Sequence, residues 1–209
     1  MKKTFAKLRD AVVLAVTAGF LCLASTSGAG GLVAAWGDDS WGQITLPVGV
    51  SNVKAISAGA VRSLALKADG TVVAWGYDYY GEAKVPGGLP QATAVAAGAY
   101  DSMILKPDGT VLVWGDDYEG QTNVPAGLSN VVAIAAGWFH CLALKSDGTV
   151  VGWGYNAYGQ TSVPAGLSGV IAISASSYHS LALKSDGTVV AWGDISYVPA
   201  DLSNRHYGL

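Results

Sequence analysis

Short apolar stretches, broken at regular intervals by Asp-Gly or Pro, run along most of this chain. The pattern is clearest in Leu142-Ala143-Leu144-Lys145, then Ser146-Asp147-Gly148, then Thr149-Val150-Val151-Gly152-Trp153-Gly154. Two short strands around an Asp-Gly turn predict a β-hairpin, because glycine readily takes the positive φ such a turn requires. Val131-Val132-Ala133-Ile134-Ala135 predicts a third strand, and a short fourth segment precedes Pro125. Outside the N-terminal segment, no window sustains the helical period in its apolar positions.

The same unit returns along the chain. Trp-Gly stands at 36–37, 75–76, 114–115, 153–154 and 192–193, always 39 residues apart. Asp-Gly at 69–70, 108–109, 147–148 and 186–187 keeps that period, as do Pro47, Pro86, Pro125 and Pro164 and Gly42, Gly81, Gly120 and Gly159. Self-similarity at such a period marks a repeat architecture. Around four short strands per unit predict the blade of a β-propeller.

Composition agrees with a packed β array. Of 209 residues, 51% are hydrophobic and 13% charged, with 28 glycines, which excludes a disordered chain and a charge-rich coiled coil. A net charge of −3 offers no basic footprint for nucleic acid. The N-terminus changes that figure. Lys2, Lys3, Lys7 and Arg9 precede an apolar run from Ala11 to Ser25 and then the small residues Ser25-Thr26-Ser27-Gly28-Ala29. This is the layout of a secretory signal peptide over residues 1–29, and the run is short for a spanning helix. Without residues 1–29 the chain holds 8 basic and 14 acidic residues, a net −6, and one cysteine, Cys141. The expected location is secreted, periplasmic or extracellular, with stability drawn from packing rather than from disulfides.

The unit Val-Val-Ala-Trp-Gly … Tyr-Gly-Gln-Thr-x-Val-Pro-Ala-Gly-Leu-Ser … His-Ser-Leu-Ala-Leu-Lys-Ser-Asp-Gly-Thr resembles the repeat of the regulator of chromosome condensation family, over residues 32–194. Within that family it is most similar to the secreted bacterial type represented by propeller-shaped β-lactamase inhibitors. The resemblance implies an all-β propeller fold, which in the family has seven blades. Here the 180 residues after the signal hold about 4.6 units, where seven would need 273. The expectation is therefore four to five blades in an incomplete, open ring, with the last repeat cut short. The array opens at Leu32-Val33-Ala34-Ala35-Trp36, the second strand of a hairpin without its first. At the other end Trp192 to Pro199 is four residues short of the Trp36 to Pro47 spacing, and Ser203–Leu209 leaves the pattern.

Positions shared by all copies read as framework. The variable ones fall in two loops, both rich in aromatic residues, which offer much contact area for little lost entropy. After Trp-Gly come Asp38-Asp39-Ser40-Trp41, Tyr77-Asp78-Tyr79-Tyr80, Asp116-Asp117-Tyr118-Glu119 and Tyr155-Asn156-Ala157-Tyr158. Before the next strand come Ala60-Val61-Arg62, Ala99-Tyr100-Asp101, Trp138-Phe139-His140 and Ser177-Tyr178-His179. The candidate partner-binding residues are Trp41, Tyr80, Tyr118 and Tyr158 in the first loop, and Val61, Tyr100, Trp138, Phe139 and Tyr178 in the second. In the inhibitor type, the resemblance places the ring two residues after Ala-Gly on the binding face. Val61 departs by having no ring, and Ala175-Ser176 replaces Ala-Gly in the last copy.

Catalytic readings find little support. His140 and His179 occupy equivalent positions of neighbouring units and lack further ligands for a metal, so a framework hydrogen bond is expected. Cys141 stands where the other copies have Ser63, Ser102 and Ser180, and adjacent strand residues face opposite ways, which separates it from His140. The acid pairs Asp38-Asp39 and Asp116-Asp117 lack a calcium loop of defined spacing. No cofactor and no metal are expected. The functional expectation is a secreted, non-enzymatic module that binds another protein through aromatic loops and is inhibitor-like. Nucleotide exchange on a small GTPase and a propeller enzyme are the alternatives. No nucleic-acid partner is expected, nor a membrane once the signal is removed; self-association through open blade edges is.

Overall fold

Each hairpin predicted around an Asp-Gly turn forms, and each gains a third strand on the other side. The computed structural model describes residues 12–17, 20–25 and 32–196, with side chains from Val33 onward. The expected cleavage site at Ser27-Gly28-Ala29 and the tail beyond Ser196 lie outside the described residues. Five sheets follow one another along the chain, each of three antiparallel strands in sequence order. They are β1 (Val12–Thr17), β2 (Phe20–Ser25) and β3 (Leu32–Trp36); then β4 (Val53–Ala58), β5 (Arg62–Lys67) and β6 (Val72–Gly76). The third holds β7 (Ala94–Ala97), β8 (Asp101–Leu105) and β9 (Val111–Gly115). The fourth holds β10 (Val131–Ala136), β11 (His140–Lys145) and β12 (Val150–Gly154), and the fifth β13 (Val170–Ala175), β14 (His179–Lys184) and β15 (Val189–Gly193). This is the all-β, propeller-type array that the sequence predicts.

Two expectations are corrected. β3 is not without a partner, because β2 pairs with it and β1 pairs with β2. These strands come from the apolar run read as the core of a signal peptide. Their hairpin departs from the period: Trp36 faces Leu21, whereas Trp75 faces Ser63. The difference follows from the connection, since residues 26–31 contain no Asp-Gly turn. The second correction is that the expected fourth strand is a run of turns. Gly120 N–H bonds the Asp117 carbonyl, Asn123 N–H the Gly120 carbonyl and Thr122 N–H the Asp117 side chain. Those donors are thereby taken from any ladder.

The core is a series of layers between sheets rather than one centre. Leu66 and Val72 meet Ile104 and Trp114; Met103 and Leu105 meet Cys141, Ala143 and Trp153; Leu142 and Leu144 meet Ala182 and Trp192. A middle strand with a neighbour on both faces is buried along its length, as in Leu64-Ala65-Leu66 of β5. The principal contacts join each sheet to the next, and none of them joins the first sheet to the fifth, so the described sheets form an open arc. Gly59, Gly98 and Gly137 set the spacing between the sheets. A Cβ on any of them would overlap the carbonyl oxygen of the next unit, that of Gly98, Gly137 and Ser176 respectively. The approach lets Ala99 N–H reach the Gly137 carbonyl at 3.1 Å and Trp138 N–H the Ser176 carbonyl at 3.3 Å.

Candidate protein-binding face

The two variable loops lie far apart in each repeat but emerge at the same end of each sheet. In the meander, the loop before β5 and the loop after β6 both sit beyond the paired residues Arg62 and Gly76. One hydrogen bond ties them in each of the last four sheets: Tyr77 N–H to Val61 O, Asp116 to Tyr100, Tyr155 to Phe139 and Asp194 to Tyr178, at 2.8–3.0 Å. The Asp-Gly turns are at the far end.

A repeated clamp holds the loop after Trp-Gly. The indole N–H of Trp75 and the Ser63 hydroxyl both donate to the Gln43 carbonyl, at 2.9 and 3.0 Å. Trp114 and Ser102 do the same to Glu82, and Trp192 and Ser180 to Gln160. In the fourth sheet Trp153 donates to Gln121 at 2.9 Å while the Cys141 thiol reaches it at 3.7 Å. The framework reading of Trp-Gly thus has a specific content. Within the loop, Asp39, Asp78, Asp117 and Asn156 each accept from the backbone N–H five residues on. These acids act as loop caps, and among the described residues no cluster of His, Cys, Asp and Glu is placed to hold a metal.

Ten rings then form one connected network on this end. Trp41 meets Tyr77 edge-on at 4.9 Å, and Tyr77 meets Tyr79 and Tyr100. Tyr80 contacts Tyr79 and Tyr100, and Tyr100 stacks on Phe139 of the next unit at 5.6 Å and 25°. Phe139 leads to Trp138 and Tyr155, and these to Tyr178 and Tyr158. Of the nine predicted residues, seven are in this network. Val61 contributes no ring and is half-buried, and Tyr118 is 88% exposed and meets no other described ring. Trp41, Tyr79, Tyr80 and Tyr158 are at least half exposed, so the network presents its rings to solvent.

Tyr77 and Tyr155 each meet three rings of the network, as Tyr100, Phe139 and Tyr178 do, and the prediction did not single them out. The signal was an alternation at the repeat period: Asp38, Tyr77, Asp116, Tyr155, Asp194. Asp38 and Asp116 accept from the side-chain amides of Gln43 and Gln121, at 3.0 and 3.2 Å. Where Tyr replaces Asp, that bond is lost. Gln160 Nε2 is accordingly buried without a partner; Glu82 Oε1 is buried and unpartnered too, though as a carboxylate oxygen it would find no donor in an Asp. Burial, with neighbouring phenols and nearby Glu82 or Glu119, raises both Tyr77 and Tyr155 above the usual phenol range.

Beneath this face the residues following the rings are buried between sheets. The Arg62 guanidinium donates to the Gly98 and Ala99 carbonyls at 3.3 and 3.5 Å, and His140 Nε2 pairs with the Ser180 hydroxyl at 3.0 Å. The latter is the framework bond expected for His140. The Cys141 thiol points the other way, donating to Asp101 at 3.5 Å, and burial pushes it up. A protonated, enclosed thiol facing away from the histidine is not a nucleophile.

Residues 53–82, 92–121, 131–160 and 170–197, more than half of the chain, match the model of the regulator of chromosome condensation (RCC1) repeat. No curated protein sequence matches the chain. Among solved structures it is similar to the ectodomain of the Physcomitrella patens receptor kinase CR4, with TM-score 0.77 and 25% identity over 98% of this chain and 57% of that one. The ectodomain of the Arabidopsis thaliana receptor kinase ACR4 gives TM-score 0.71 and 22% identity over 86% and 64%. Yeast RCC1 (Prp20), solved bound to Kap60, gives TM-score 0.73 and 22% identity over 94% and 59%. The chain thus spans less than two thirds of each. With four matched repeats, and with the blades those repeats build, it belongs to the regulator of chromosome condensation (RCC1) repeat family.

Proposed function

We propose that this chain is a non-enzymatic protein-binding module that engages its partner through the aromatic end of the array. The observation that carries this is the single ring network built from both variable loops across neighbouring sheets. Exposed Tyr and Trp on a rigid frame supply contact area with little entropy to lose, which is the composition of binding hot spots. Yeast RCC1 is itself known bound to a protein, Kap60, and an inhibitor-like role fits a face of this kind. The proposal includes export. Cleavage after Ala29 would remove β1 and β2 and leave β3 with a free edge, the place where self-association would begin.

One expression experiment reads binding and export together. The full chain, tagged at its C-terminus, is recovered from the culture medium together with the protein it captures. Tyr100→Ala, Phe139→Ala and Tyr178→Ala combined should reduce capture at least tenfold with the fold intact. Undiminished capture would end the aromatic-face reading, and a tagged protein retained wholly in the cytosol would end the export reading and restore GTPase regulation as the leading alternative.

A further inference from the structure

Charge divides the two ends of the array. At the Asp-Gly end, Lys67, Lys145 and Lys184 lie 3.9, 3.1 and 3.1 Å from Asp69, Asp147 and Asp186, so that end is balanced. At the aromatic end, the loops after Trp-Gly carry Asp38, Asp39, Asp78, Asp116, Asp117, Glu119 and Asp194, besides the buried Glu82, against Lys84 in those loops and the buried Arg62 behind them.

Structure alone does not require this charge. The cap supplied by Asp39, Asp78 and Asp117 is made equally well by Asn156, whose side-chain oxygen accepts from Thr161 N–H at 2.9 Å. Asp39, Asp78 and Asp117 accept from the backbone at 3.0, 2.9 and 3.0 Å. Where Asp39 and Asp117 also accept from the Thr45 hydroxyl and the Asn123 amide, Asn156 donates to the Ser162 hydroxyl, so a neutral residue keeps the cap. The Glu119 side chain makes no hydrogen bond among the described residues; its backbone N–H donates to Gln121. Three acids where an asparagine suffices, and a fourth with no structural bond, leave negative charge beside exposed rings. The ring faces add to it, since an aromatic quadrupole presents its negative side above the plane. The orphaned Glu82 Oε1 lies behind the same rings, next to Tyr77.

We propose that the occupant of the aromatic face is a basic segment of a partner protein, its Lys and Arg side chains lying over the rings and against the loop carboxylates. This rests on the aromatic face being the binding surface, and it adds the chemistry of what binds. Carboxylates at the rim steer and select, while rings at the centre exclude water from the cation they hold. An acidic segment or an anionic surface would meet like charge.

The test uses the full chain and two fluorescein-labelled peptides of equal length, Gly-Lys-Gly-Arg-Gly-Lys-Gly-Arg-Gly and its counterpart with Glu at every charged position. The basic peptide should bind at least tenfold more tightly, and raising the salt from 0.05 to 0.5 M should weaken it at least fivefold. A variant with Asp39→Asn, Asp78→Asn, Asp117→Asn and Glu119→Gln should stay folded with its thermal midpoint only modestly lowered, because Asn already caps the fourth loop, and should lose at least tenfold in affinity for the basic peptide. Equal binding of the two peptides, or an unchanged affinity in the charge variant, would overturn the proposal. The captured partner separates the two readings. If the charge variant still captures it and the Tyr100/Phe139/Tyr178 variant does not, the basic-segment inference fails alone. If neither variant loses capture, both fail.

Discussion

Asp101 and His140 occupy equivalent positions in neighbouring units, and burial acts on them in opposite directions. Burial raises Asp101 to about 6 from 3.8, against the pull of the nearby Arg62, and lowers His140 to about 4 from 6.5. Between pH 4 and 6.5 the unfolded chain binds more protons at His140 than the folded chain does, so this histidine makes stability rise with pH. Between pH 3.8 and 6 the folded chain holds the proton on Asp101 that the unfolded chain has released, so this carboxyl makes stability fall with pH. The two slopes oppose each other across pH 4–6. Asp101→Asn removes one of them, and urea unfolding at several pH values in that range should show a steeper rise with pH than in the parent protein. An unchanged or flatter slope would mean that Asp101 does not hold its proton in the folded chain across this range. Neither shift was legible in the sequence. Arg62, Asp101, His140 and His179 are four residues of different character in one column, and only the closeness of Gly98 and Gly137 to the next unit explains why the second and third are enclosed.

The element that defines the blade is the clamp on the loop carbonyl. Either donor alone keeps the Gln43 carbonyl satisfied, while loss of both leaves it buried without a partner. Ser63→Ala and Trp75→Phe should each cost about 1 kcal/mol, and the pair about 3 kcal/mol, because an orphaned buried acceptor costs more than either bond contributes. Equilibrium unfolding of the singles and the double measures the excess, and strict additivity would show that the carbonyl finds water. The hairpin was legible because an Asp-Gly turn is a local device: Gly148 has φ +80°, and Asp147 accepts from Thr149 N–H at 3.0 Å. The clamp was not, because Trp75 and Gln43 are 32 residues apart and nothing local relates them. The fourth strand that proved to be turns is a different case, since its backbone donors are taken within a few residues, by the carbonyls of Asp117 and Gly120 and by the Asp117 side chain.

On the scale of the whole molecule, layers of core between successive sheets make the array nearly one-dimensional, so stability should depend on position along it. β11 and β14 test this. Their sequences, His-Cys-Leu-Ala-Leu-Lys and His-Ser-Leu-Ala-Leu-Lys, differ at one residue. Yet β11 is buried from His140 to Leu144, while β14 is only partly so. Backbone amides of β11 should exchange with solvent at least tenfold more slowly than those of β14 by hydrogen-exchange mass spectrometry. Equal protection would mean that packing between sheets contributes little. The comparison also separates the two sources of information. The sequence by itself determined the period, the hairpins, the all-β class and the two aromatic loops, since turn chemistry and strand alternation act within a few residues. Tertiary structure alone decided that both loops emerge at one end, that rings of neighbouring units meet in a single network, and that one of two nearly identical strands is enclosed. These depend on which sheet lies next to which, as in the Tyr100–Phe139 and Trp138–Tyr178 contacts between units, at sequence separations of about one repeat, where the chain carries no local mark of its neighbour.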